Sequence, residues 1–186
     1  MAVASISASE LLMALKDERS DFVITPLPPV ASVGAGSVDL RVGRIFLSTM
    51  RSSVASVDVD NPMASQQMFD EVRISQDRPF VIQSRQFVLA STFEYISLPL
   101  TMCGFIQSRS TFGRMGLVAA TSTFVGPGYK GCPTLELVNT GEIAISLKPN
   151  TPVCQLILMT ANEDDSVRPS RYQCLTRPNY ALGDSH

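Results

Sequence analysis

Ser108-Arg-Ser-Thr-Phe-Gly-Arg-Met-Gly-Leu117, Val125-Gly-Pro-Gly-Tyr-Lys-Gly131 and Thr134-Leu-Glu-Leu-Val-Asn139 follow one another within a short region of the chain. The first string opens on hydroxyls and carries the guanidinium groups of Arg109 and Arg114. Ser110 and Arg114 are four residues apart, so a single helical turn places both side chains on one face. Free N–H groups at a serine-rich turn start, with two fork-shaped donors beside them, suit a phosphate. The middle string is turn chemistry, since Pro127 and its flanking glycines reverse the chain. In the third string Glu136 stands between Leu135 and Leu137. Strand alternation allows it to face solvent. An ionised carboxylate buried there is costly unless it is paired or kept for chemistry, and on that reading Glu136 is the first candidate for a general base.

Outward from this region the chain consists of short runs rich in β-branched and apolar residues, punctuated by proline and glycine: 37–46, 80–82, 86–91, 94–98, 103–107, 134–138, 143–147 and 153–159. Ile143, Ile145 and Leu147 alternate with the period of two expected of a half-buried strand. Residues 7–17 differ. Leu11, Leu12 and Leu15 share a helical face, with Ser7 or Ser9 as N-cap and Glu10 near the first turn, and predict the main helix. Residues 51–77 lack enough apolar side chains for a core of their own and predict an excursion from the sheet. Many short strands with little helix predict a mainly β sandwich or barrel in one domain over 1–186, ending in a mobile tail at 176–186.

Composition narrows the functions. The 186 residues are 45% hydrophobic and 17% charged, which fits a globular domain with a real core. Fifteen basic against seventeen acidic residues give a formal net charge of −2, so no overall positive field favours nucleic acid or an anionic membrane. No run approaches the ~18–20 apolar residues of a membrane span, and the first residues carry no basic segment followed by an apolar one. A cytoplasmic protein is expected. Cys103, Cys132, Cys154 and Cys174 are too scattered for a zinc knuckle or a redox dithiol and are expected to be reduced, structural thiols. The only histidine is His186, the last residue. A hydrolase triad built on an internal imidazole and a His/Cys/Cys zinc site are both excluded on this basis.

The Arg109-Ser-Thr-x-x-Arg-x-Gly-Leu117 string, the Pro127-Gly-Tyr-x-Gly131 turn and the Leu135-Glu-Leu-x-Asn139 strand resemble the central motifs of dCTP deaminases, within the trimeric dUTPase superfamily. Ile6-Ser-Ala-Ser-Glu-Leu-Leu12, Ile24-Thr-Pro26 and Ser37-Val-Asp-Leu-Arg-Val-Gly43 are similar to the opening of that family, and Arg171-Tyr-Gln173 to its substrate-closing tail. The resemblance implies a distorted jelly-roll-like β fold of the dUTPase type, with one N-terminal helix and a short helix at Ser110–Arg114. It implies zinc-independent hydrolysis of the exocyclic C–N bond of dCTP to give dUTP and ammonia for dTTP synthesis, with magnesium only as the counter-ion of the triphosphate. It further implies a homotrimer with sites at subunit interfaces. Glu136 then activates water and shuttles protons, Ser110 orients the water and Arg114 stabilises charge across the subunit boundary. Substrate contacts are implied at Arg109, Thr111, Thr123, Tyr129, Gln155, Arg171, Tyr172 and Gln173. Read without the resemblance, Ser110 is equally a helix cap, Arg114 a surface ion-pair partner and Gln155 a group satisfying buried backbone.

The chain departs from this family pattern twice. Gly126 stands where the relatives usually carry the aspartate that contacts the 3′-hydroxyl and, in dUTPases, aligns the attacking water. Cys174 and Leu175 stand where glycine and a polar amide are expected in the tail. The first departure argues against a dUTPase or a bifunctional deaminase–diphosphatase. Both keep open a nucleotide-binding homologue without turnover.

Overall fold

The computed structural model describes residues 7–49, 56–58, 62–119, 124–162, 170 and 172–180. Helix α1 covers Ala8–Lys16. Ser7 is its cap: the Ser7 hydroxyl accepts from Glu10 N–H at 3.2 Å and the Glu10 carboxylate accepts from Ser7 N–H at 2.8 Å. This reciprocal pair satisfies two orphan donors of the first turn, and Leu11 is the residue α1 buries in the core.

The remainder is mainly β. The strands are β1 (Val23–Thr25), β2 (Val33–Gly34), β3 (Ser37–Thr49), β4 (Phe69–Arg73), β5 (Phe80–Ile82), β6 (Phe87–Thr92), β7 (Tyr95–Ser97) and β8 (Met102–Ser108). After helix α2 (Ser110–Arg114) come β9 (Leu117–Ala119), β10 (Phe124–Val125), β11 (Lys130–Gly131), β12 (Thr134–Asn139), β13 (Ile145–Leu147) and β14 (Pro152–Thr160). The main sheet runs β10-β8-β14-β3-β6-β12-β9, with β2 and β4 also on β3, while β1-β7-β11 and β13-β5 form smaller sheets.

Strand β3 organises the architecture because it belongs to two neighbourhoods. Its first residues pair with β14, Asp39 opposite Gln155, and its last residues pair with β6 and β4. Between them the register shifts, and the alternation of buried and exposed residues breaks at Val42-Gly43, where both are buried. Such an irregularity bends a strand and increases its local twist, which curls the sheet around its contents. Val38, Leu40, Val42 and Phe46 face inward and are fully buried, and the Phe46 ring stacks on Phe80 with centroids 4.3 Å apart.

Two expectations are corrected. Residues 51–77 do not simply leave the sheet: Phe69–Arg73 pairs with Ile45–Thr49 of β3 as an antiparallel strand. Only Phe69 and Val72 of that strand are even half buried, so its alternation is too weak to stand out in the sequence. Of the residues after 175, Pro178 is buried and the Tyr180 ring lies 5.7 Å from that of Phe69. Residues 181–186 of the expected tail lie outside the described residues. Ile143, placed in a strand by its spacing, is instead exposed in the turn before β13. No helix of the described residues is long and apolar enough to cross a membrane.

Candidate active site

Strand β12 presents Glu136 by simple alternation. Leu135 and Leu137 point into the core at 0% and 1% exposure, which turns the intervening side chain to the opposite face. There it enters a cavity of about 520 Å³ together with Thr134, Leu89, Phe124, Gly126 and Tyr129. Burial raises the Glu136 pKa above its ordinary value. Among the described residues no group hydrogen-bonds its carboxylate, so the lone pairs are left for whatever occupies the cavity.

The raised pKa carries a stability cost. The folded state holds the Glu136 proton more tightly than the unfolded chain does, so stability falls as pH rises from the unfolded pKa of ~4.3 through the folded value, and the cost remains at neutral pH. Glu136→Gln is therefore expected to melt at a higher temperature than the wild type at neutral pH, with the gap closing below about pH 4. Thermal melts across pH check this; a variant that melts lower at neutral pH would mean the fold stabilises the charge.

The far wall of the cavity comes from the C-terminal segment. Ser170, Tyr172, Leu175 and Tyr180 line it, and hydrogen bonds to the turn before β12 hold that segment down. Cys174 N–H donates to Lys130 O at 2.6 Å and Cys132 N–H donates to Leu175 O at 2.7 Å. The Gln173 side chain accepts from Lys130 N–H at 2.7 Å and donates to Gly128 O at 3.1 Å. Gly131, at φ 148°, makes this close approach possible, since a Cβ there would come within 3.1 Å of Leu175 O. Cys132, Cys103 and Cys154 are buried free thiols and Cys174 an exposed one, and burial pushes the Cys132 thiol up to about 11.

The Ser110/Arg114 motif lies elsewhere. The sequence folds it as a five-residue helix directly after Arg109, whose backbone is extended and whose carbonyl accepts from Phe112 N–H at 3.0 Å. Ser110, Thr111 and Arg114 are exposed, and none of them lines the Glu136 cavity. Arg109 is already paired, with Nη1 2.9 Å from Asp39 Oδ2, and Gln155 donates to Asp39 Oδ1 at 2.9 Å. One chain thus gathers Glu136, Tyr129 and Tyr172 at the cavity, Arg109 and Gln155 around Asp39, and Ser110, Thr111 and Arg114 on α2. Thr123 and Arg171 lie outside the described residues.

The chain matches the family model of dCTP deaminase-like proteins over residues 6–161. It belongs to the dCTP deaminase-like family. Among curated relatives it is 37% identical over 148 residues to the dUMP-forming dCTP deaminase of Sulfurihydrogenibium sp., covering 80% of this chain and 79% of the relative. It is 32% identical to the dCTP deaminase of Natronomonas pharaonis, covering 87% and 86%. The 2′-deoxycytidine 5′-triphosphate deaminase of Agrobacterium tumefaciens shares the fold with a TM-score of 0.66 at 18% identity; the match covers 87% of this chain and 49%, about half, of that one.

Two carboxylates that no sequence motif marks as functional anchor this member of the dCTP deaminase-like family. Glu94 is fully buried, accepts from Arg41 N–H at 2.8 Å and pairs with the Arg41 guanidinium, which also lies 4.9 Å above the Phe93 ring. Asp39 joins Arg109 to Gln155. Asp39 and Arg41 both sit in the Ser37–Gly43 motif, but Glu94 is 53 residues from Arg41 and Gln155 is 116 from Asp39, distances no local pattern spans.

Proposed function

We propose that this protein deaminates dCTP: dCTP and water give dUTP and ammonia through a tetrahedral intermediate at C4. The observation that carries this reading is Glu136, a half-buried carboxylate with a raised pKa and no internal partner, facing a cavity walled by aromatic and apolar groups. A carboxyl in that state can accept a proton from attacking water and return it to the ring nitrogen and the departing amine. The names of the relatives support the substrate.

The reaction needs more than one chain's cavity. No lysine or arginine is among the described residues that line it, whereas Ser110 and Arg114 stand exposed on α2. We read the protein as a homotrimer in which α2 of a neighbouring subunit completes each site, with Ser110 orienting the water and Arg114 facing the developing charge. Mixing Glu136→Gln with Arg114→Ala, each inactive alone, is then expected to restore part of the activity after subunit exchange; no recovery in verified mixed oligomers would place all three groups in one chain.

Product analysis tests the reaction itself. Ammonia and dUTP in equal amounts are expected, surviving a zinc chelator once magnesium is resupplied as counter-ion of the triphosphate. Among the described residues no three His, Cys, Asp or Glu side chains gather as a metal site. Pyrophosphate with dUMP would favour a bifunctional deaminase–diphosphatase, binding without turnover a non-catalytic homologue, and loss of activity tracking zinc removal would overturn the zinc-free mechanism.

Gly126 bears on the product. It lines the cavity, and a Cβ there would meet only the Phe124 ring, at 3.6 Å, with no left-handed φ to resist a side chain. A carboxylate at this position would accept a hydrogen bond from the sugar 3′-hydroxyl. Gly126→Asp is expected to tighten dCTP binding by about 1–3 kcal/mol in calorimetric titration, the scale of a hydrogen bond to a charged group. Unchanged or weaker binding by the folded variant would mean that the turn does not face the sugar.

A further inference from the structure

Helix α2 is too short to hold its own place. Five residues form barely more than one turn, a helix of that length is unstable in isolation, and no side chain caps its start. Its position is therefore set from outside. Among the described residues, Phe112 gives it a packing contact with the core and no side chain of Ser110–Arg114 makes a hydrogen bond or ion pair. Past its end, Gly116 O accepts from Thr140 N–H at 2.8 Å and from the Thr140 hydroxyl at 2.9 Å; at its start the tether is Arg109. Its N–H donates to Val153 O at 3.2 Å, its carbonyl receives Phe112 and Gly113 N–H at 3.0 and 3.2 Å, and its guanidinium reaches Asp39.

Asp39 is suited to the other end of that tether. It stands in the sheet on β3, directly opposite Gln155 of β14, which in turn lies opposite Gln107 of β8. Its side chain is only 15% exposed, and both oxygens are used, Oδ1 by Gln155 and Oδ2 by Arg109. A carboxylate fixed at two points on a sheet can orient a guanidinium more firmly than an exposed ion pair can, because fewer rotamers remain to be ordered.

We propose that Asp39 is a positioning residue: acting through Arg109, it fixes where α2 presents Ser110 and Arg114. The proposal rests on the reading that these two residues serve the deamination. It assigns no contact between Asp39 and substrate. Its effect is on the geometry of groups that must be placed within a fraction of an ångström, where misplacement costs about ten- to a hundredfold in rate.

The test combines turnover with hydrogen exchange on the full-length protein. Asp39→Asn keeps an acceptor for Gln155 but offers Arg109 no charge, and Asp39→Ala removes both; each is expected to lower kcat at least about tenfold. Exchange should quicken in the peptide spanning residues 108–117 and remain unchanged in α1 and β12. Asp39→Ala should cost nothing further in kcat when added to Arg109→Ala, because the two act as one unit. Additive losses, wild-type kcat in either Asp39 variant, or unchanged exchange around α2 would each overturn the proposal. If the wild-type protein releases no ammonia from dCTP, the functional reading fails on its own, and the exchange measurement still decides whether Asp39 holds α2.

Discussion

Glu136→Gln is expected to release ammonia from dCTP at least about a hundredfold more slowly than the wild-type protein, while binding the nucleotide nearly as well. The amide keeps the volume of the side chain and can still form hydrogen bonds in the cavity, so the shape of the site and its apolar walls are retained. What is lost is the ability to take up a proton at the moment water attacks C4. Burial is what prepares the carboxyl for this step: a pKa lifted toward the working pH gives a base that both accepts and returns a proton. Single-turnover assays with titration calorimetry separate the two effects. Ammonia release close to the wild-type rate would remove Glu136 from the mechanism; loss of binding in step with turnover would make it a substrate anchor.

Asn139→Leu is expected to destabilise the fold by about 3–5 kcal/mol, because it leaves several buried polar groups without partners. Asn139 ends β12 and is fully buried. Its amide donates to Ile82 O at 3.1 Å and to Ile143 O at 2.9 Å, and its carbonyl oxygen accepts from Gly141 N–H at 3.0 Å. These bonds tie the end of β12 to β5 and to the turn that leads into β13. Leucine is close in size and fills the space without satisfying any of the three groups. Denaturant unfolding at fixed protein concentration measures the loss, and a change below about 1 kcal/mol would mean that water or backbone movement replaces the side chain. A loss at the expected scale is a large fraction of a typical domain's 5–15 kcal/mol.

Local features of this chain are legible in its residue order alone. The Ser7/Glu10 cap, the inward Leu135 and Leu137, the outward Glu136 and the turn at Ser110–Arg114 all follow from spacing within a few residues. Features that depend on remote partners are not. Strand β4 is decided by pairing with β3, and its Asp70-Glu-Val-Arg73 composition alone gives no strand signal. Asp39 and Glu94 look like ordinary strand and turn carboxylates until Arg109 and Arg41 are found against them. The wall that Tyr172, Leu175 and Tyr180 add to the cavity depends on hydrogen bonds with a turn 43 residues earlier. The family motifs mark Glu136, Ser110 and Arg114 as candidates, whereas their distribution between the cavity and α2 becomes visible only in three dimensions.

The double membership of β3 has a consequence for synthesis on the ribosome. Its first half waits for β14, and Asp39 and Gln155 are 116 residues apart. At translation rates of about 5–20 residues per second, Val38, Leu40 and Val42 spend roughly 5–20 s in a nascent chain whose closing strand has not yet been made. During that interval an apolar strand has an open edge able to pair with the wrong neighbour, the kind of exposure that favours aggregation. A chain ending just before β14 would carry Glu136 and the whole of α2, yet lack the middle of its principal sheet.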